Sequence, residues 1–163
     1  MITNYLSPLE FRATIKRLPN VQFFLQRANI PSITQNPVPL GSPLNRIWQT
    51  GDSLQYANFD FTFVVDEKME NYLEIFNWIR GTSFPEKNDQ FAALKQSPEG
   101  IFSDITIQIL TSHKNANLEV TFKNCFPISL SDVILDTTQL DVVYPEVTAT
   151  FQYDYFNITR LKD

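Results

Sequence analysis

The chain has 163 residues, 43% of them apolar and 19% charged, a balance that excludes a disordered chain and predicts one domain with a sizeable core. Its formal charge of −5 comes from 13 basic and 18 acidic residues with no block of Lys or Arg, which excludes a protein that grips nucleic-acid backbones. The 14 Phe, 6 Tyr and 2 Trp against only 4 Gly tilt the composition toward pleated, half-buried surfaces, and a single cysteine, Cys125, excludes an internal disulfide.

The N-terminus, MITNYLSPLEF, has no basic region followed by an apolar run, and no window reaches 18 apolar residues. The expectation is a soluble protein of a reducing cytoplasm, without signal peptide or membrane helix. Residues 11–28, FRATIKRLPNVQFFLQRA, read as two strands around a Pro19-Asn20 turn, the second carrying the apolar run Phe23-Phe24-Leu25. Residues 31–50 hold prolines at 31, 37, 39 and 43, which remove ladder donors and push their predecessors to extended conformations. This segment is predicted as an extended arm or a loose hairpin.

Residues 54–65 form a long predicted strand with Phe59, Phe61, Phe63 and Val65 on one face and Asp60, Thr62 and Val64 on the other. Only Asp66 separates it from a predicted helix, which Asp66 caps and Glu67 and Glu70 favour at its positive end. Met69, Tyr72, Leu73, Phe76 and Ile79 recur at spacings of three and four, so they are the expected buried stripe. Arg80 and Gly81 mark the expected stop. Trp78 lies off the stripe, so either a second apolar face is buried or Trp78 meets another molecule.

Residues 82–100 read as a polar insertion loop with one helical turn near 90–95. DITIQIL (104–110) and LEVTFKN (118–124) alternate around the turn SHKNAN and predict a hairpin. FPISLSDV (126–133) is a short strand, and EVTATFQYDYF (146–156) a long one with Val147, Ala149, Phe151, Tyr153 and Tyr155 on one side. The fold class is therefore mainly β with one helix (α+β): an antiparallel β-sandwich or barrel with a flanking α-helix, spanning 1–163 as one domain. Its expected wet side holds Asp60, Thr62, Asp104, Thr106, Gln108, Glu119, Thr121, Lys123, Thr148, Thr150, Gln152 and Asp154.

Chemistry is sparse. His113 lies in a polar turn and Cys125 follows twelve positions later, a spacing that leaves a Cys–His pair open, although a free Cys is more often a small buried hydrophobe. The pairs Asp132 with Asp136 and Asp141 with Glu146 sit in a polar loop, where solvated charge is the ordinary explanation. No two glycines are close enough to cradle a phosphate, and no His, Cys or carboxylate cluster has metal-ligand spacing. The expectation is no enzyme, no cofactor and no metal. Asn157-Ile158-Thr159 matches a glycosylation sequon by chance in a chain without a signal peptide.

The order of elements carries more than any single residue. "RANIPSI" before the arm, "FDFTFVVDEKMENYLEIFNWIRG" and the closing "VTATFQYDYF" resemble, over about residues 10–157, the tail tube proteins of contractile-tailed bacteriophages and the tube-like proteins of their baseplates. The resemblance implies a sandwich or barrel with a flanking helix, assembled as hexameric rings that stack into a tube around a DNA-conducting lumen. It implies no catalytic residues. The arm would reach neighbouring subunits or rings, which makes Pro37, Pro39, Leu44, Ile47, Trp48 and Trp78 the candidate inter-subunit contacts. The wet side would face the lumen, with Asp60, Thr62, Asp104, Thr106, Gln108, Glu119, Thr121, Thr148, Thr150 and Asp154 as its candidate lining; six copies would carry about −30, so DNA would slide without adhering. The implied partners are further copies, baseplate and sheath proteins, and the implied place is the virion tail, assembled in the host cytoplasm.

The proline content of 31–50 and the length of 82–100 keep a tube-like baseplate or tube-terminator protein as the alternative. From a different class, the aromatic load also fits a small β-barrel that binds an apolar or sugar ligand.

Overall fold

The computed structural model describes residues 6, 8–83, 88–98 and 100–161, without the Phe23 side chain. The rest of the predicted polar insertion, 84–87 and 99, lies outside the described residues, as does the Phe23 part of the apolar run. Strand β1 (Phe11–Ile15) buries Ala13 and Ile15 by simple alternation. The predicted turn after it is instead a helix of one turn, α1 (Pro19–Phe23), with Pro19 in the first turn, where its fixed φ is already helical and its missing N–H costs nothing. This turn buries Leu18 and Val21, and Phe24, expected in a strand, closes it with its N–H on the Val21 carbonyl. The second strand therefore starts only at β2 (Leu25–Ala28).

The arm is a two-stranded ribbon rather than an irregular loop. Its base pairs β3 (Ile33–Gln35) with β6 (Leu54–Tyr56), and its tip pairs β4 (Val38–Gly41) with β5 (Arg46–Gln49). Pro39 is tolerated because it lies in an isolated ribbon, opposite Trp48. Gly51 lets the ribbon narrow, since a Cβ there would overlap the Asn36 carbonyl.

The remaining strands are β7 (Phe59–Val64), β8 (Ser103–Leu110), β9 (Ala116–Leu130), β10 (Glu146–Gln152) and β11 (Tyr155–Arg160). All pairings are antiparallel, in the order β1-β8-β9-β10-β7-β2, with β11 also on β9. The two short segments predicted at 118–124 and 126–133 are one strand, β9, of 15 residues. Its first half joins β1, β8 and β11; its second half joins β10, β7 and β2. The strand turns between the two sheets at Asn124, whose φ of 56° lies in the left-handed region. The predicted last strand is likewise two, broken at Tyr153 and Asp154, and Tyr155 is exposed rather than inward.

The two sheets close on one core as an antiparallel sandwich, the predicted class. Phe59 of the second sheet stacks on Phe122 of the first with ring centroids 4.4 Å apart, and Phe61 stacks on Phe151 at 5.0 Å. Such aromatic pairs add to the area term that dominates burial.

Among the described residues three helices, not one, accompany the sheets: α1, α2 (Glu70–Ser83) and α3 (Asn88–Gln96). Strand and helix are not joined directly. A turn over 65–69 intervenes, with Met69 at φ 57°, and Asp66 caps it by accepting from the Glu70 N–H at 3.0 Å. The predicted stripe on α2 holds only in part: Tyr72 and Ile79 pack against the core, but the centre of the core face lies elsewhere. The helix buries Asn71, Ile75, Trp78 and Gly81, whereas Met69, Leu73 and Phe76 are exposed. Its core face is rotated by one residue, about 100°. Gly81 does not stop the helix, which continues to Ser83; it seats Leu94 of α3 against the helix backbone.

Candidate functional site

The ten residues expected to line a lumen do not share one face. Thr62 and Thr148 face each other across β7 and β10 with hydroxyls 3.0 Å apart, and Asp60 pairs with Thr150 beside them. On the other sheet, Thr106 pairs with Thr121, and Gln108 donates to Glu119 at 3.1 Å. Both sheets bury their alternate residues in the same core, so these polar surfaces point away from each other. One lumen cannot take both. Lys123 and Gln152 complete the expected wet side.

Asp104, at the start of the β8 face, and Asp154, just past β10, hold the corner of β9. The Asn124 N–H donates to Asp104 at 3.2 Å, the Asn124 amide donates to Asp154, and Lys123 bridges to Asp104. Partial burial pushes the Asp104 carboxyl up, but the Lys123 ammonium and the Asn124 N–H outweigh it and hold the group below the usual carboxylate range.

Of the expected inter-subunit contacts, those in the arm are open to solvent: every residue of 32–50 is exposed, Pro37, Pro39, Leu44, Ile47 and Trp48 included. Trp78 is a correction. It is 2% exposed, its indole N–H donates to the Ile101 carbonyl at 2.9 Å, and the Arg17 guanidinium lies 4.8 Å above its ring. The sequence-level choice between a second buried face and a contact resolves to burial.

A surface that the sequence reading missed lies beside it. The outward stripe of α2 meets the second half of β9 in an apolar groove of about 650 Å³ that includes Tyr72, Phe76, Ile79, Ile128 and Leu130. The signal was present in the 3–4 spacing of those helix residues, which sequence patterning assigns to the core by default.

Catalytic geometry does not form around Cys125 and His113. Cys125 is fully buried near Ser103 at the base of the β8–β9 hairpin, and burial pushes its thiol up to about 12. His113 sits in the turn at the far end, roughly 25 Å away at about 3.3 Å per strand residue. Among the described residues, no three His, Cys, Asp or Glu side chains gather as a metal site, and no helix is long and apolar enough to cross a membrane.

The fold has known counterparts. The family model described as phage tail tube protein matches residues 8–159. The tail tube terminator protein of Enterobacteria phage T4 is 27% identical over 118 residues, 72% of this chain, and the chain covers 64% of that protein's length. The sheath/tube terminator structure of an extracellular contractile injection system, PVC, superposes with a TM-score of 0.68 at 17% identity, covering 98% of this chain and 99% of that one. The tube terminating cap of the anti-feeding prophage gives 0.66 at 17% identity, covering 99% and 95%. At these identities the structural likeness shows a shared fold. The family match, by contrast, takes in arm, sandwich and helices together, and the chain belongs to the phage tail tube protein family.

Proposed function

We propose that the chain is a ring-forming structural subunit of a phage tail, six copies enclosing a lumen, and that its ring closes the end of the tail tube. The observation that carries a ring is the arm. A lone subunit leaves Val38, Leu40, Leu44, Ile47 and Trp48 in water on a ribbon that its own core does not cover, and a neighbouring copy removes that cost. The exposed α2 groove offers a second apolar surface for the same purpose. Support for the terminal position over a repeating tube subunit is the sequence likeness to a tail tube terminator protein, 27% identical over 118 residues.

The face of β7 and β10 is the one assigned to the lumen. Those two strands carry Asp60, Thr62, Thr148, Thr150 and Gln152 and no Lys or Arg; a base, Arg27 of β2, lies opposite Thr62 at their edge, so passing DNA finds little cationic hold. The opposite face carries Arg12 beside Gln108 and Lys123 beside Asp104, and suits protein contacts better. Further copies, sheath and baseplate proteins are then its partners in the virion tail, assembled in the host cytoplasm.

Negative-stain microscopy with light scattering on the purified chain tests this. Six-membered rings that do not lengthen with concentration support the reading. Long tubes would make the chain the repeating subunit, and a monomer at every concentration, alone or with tube ends supplied, would refute ring formation.

A further inference from the structure

We propose that the loop joining β9 to β10, residues 131–145, is a docking element for a basic protein partner, a chain other than this one whose apolar groove is rimmed by Lys or Arg. The loop is held firmly at its ends. The Ser131 N–H donates to the Thr148 carbonyl at 2.9 Å, the Ser131 hydroxyl accepts from the Thr148 N–H at 3.0 Å, and the Pro145 carbonyl accepts from the Val65 N–H at 3.0 Å. Between those anchors the loop turns its apolar side chains outward: Leu135, Leu140 and Val142 are at least 84% exposed, and Ile134, Val143 and Tyr144 are open as well. It folds around a groove of about 630 Å³ rather than collapsing onto the core. A monomer gains nothing from six such residues in water, so the pattern marks a surface that is covered in use.

Charge identifies the occupant. Asp132, Asp136, Asp141 and Glu146 punctuate the apolar residues, and no Lys or Arg occurs from 124 to 159. The Val65–Pro145 contact brings the turn bearing Asp66, Glu67 and Glu70 to the same end of the molecule, with Lys68 as that turn's one base. A second copy fits poorly. The chain carries a net charge of −5, its turn at His113 and Lys114 is polar throughout (Thr111 to Asn115), and its apolar α2 groove holds a single base, Arg80, against the aspartates at 132, 136 and 141. A basic partner with an apolar groove satisfies both halves of the loop.

The probe is a fluorescein-labelled amphipathic helix of Leu and Lys, with a Leu and Glu helix as charge control, titrated by anisotropy against the full chain at physiological salt. The Lys peptide should bind saturably and the Glu peptide should not. L135S/L140S/V142S should weaken binding about tenfold or more while leaving thermal unfolding unchanged, because these side chains are exposed. D136N/D141N should weaken binding and flatten its salt dependence. Binding that both variants leave unaltered, or no binding by the wild-type chain, overturns the proposal. So does a change in the chain's own association state, seen by light scattering, in the serine variant, since the occupant would then be a second copy. Ring formation that persists in variants blind to the peptide separates this inference from the ring reading.

Discussion

The Asn71 side-chain amide donates to the Val64 carbonyl at 2.8 Å, while its oxygen accepts from the N–H groups of Tyr72 at 2.8 Å and Asp66 at 3.3 Å. Asn71 is fully buried, so one polar side chain ties the end of β7, the intervening turn and the first turn of α2. Asn71→Leu removes all three bonds and leaves backbone groups unpaired, which should cost about 2–4 kcal/mol. Urea denaturation reads this as a lower midpoint at unchanged slope.

The rotated face of α2 makes a paired prediction. Ile75→Ala deletes a fully buried side chain and should cost about 2–5 kcal/mol. Phe76→Ser, one residue on and 42% exposed, should change monomer stability by about 1 kcal/mol or less. Equal losses at both positions in thermal unfolding would restore the sequence-based stripe.

The corner of β9 constrains its residue. Asn124 at φ 56° tolerates Gly, so Asn124→Gly should lose little beyond its bond to Asp154. Asn124→Val places a β-branched side chain in the left-handed region and should cost about 1–2 kcal/mol or more. Circular dichroism melts of the two variants give the comparison directly.

Alkali should weaken the fold in a defined window. Burial raises Cys125 from 9.0 to about 12 and Tyr153 from 10.0 to about 12. Both groups keep their protons in the folded chain after the unfolded chain has lost them. Their stabilisation is complete below pH 9, falls as pH rises, and is gone above pH 12. Unfolding midpoints measured from pH 8 upward should fall, and Cys125→Ala should begin its fall nearer pH 10. Ellman's reagent at pH 8 should label Cys125 only on unfolding.

The two tryptophans report on different events. Trp78 is buried at 2% exposure and Trp48 is 59% exposed on the arm. Iodide should quench only Trp48 in the isolated chain, and assembly should shift that emission to the blue and remove the quenching. A Trp48→Phe variant should lose the quenchable component altogether.

Much of the sandwich is legible in the sequence because alternation is a local signal. Phe59, Phe61 and Phe63, or Ile105, Ile107 and Ile109, reveal their inward face from spacing alone. Helix α2 misleads for a physical reason: it has apolar residues on two adjoining faces, and the core face includes Asn71, whose polarity is satisfied by backbone groups of the strand end, the turn and its own helix. The helical turn α1 hides behind a Pro-Asn pair that reads as a turn. The continuity of β9 is masked by Pro127, which the second sheet tolerates at its edge opposite Phe151. At the candidate site, alternation identified which residues point outward. It carried no information on which of two outer surfaces each joins, because that depends on where β9 turns.

That turn has a mechanical consequence. A strand of 15 residues held in common leaves the sandwich no seam along which one sheet slips past the other. Load taken up by β11 or β8 on one wall passes through Asn124 into β10 and β7 on the opposite wall without crossing a flexible linker. Amide exchange should accordingly find the two walls opening together, in a single cooperative event. In the proposed ring, such corners would resist shear by the covalent chain itself, and the bore would keep its diameter when the outside is gripped.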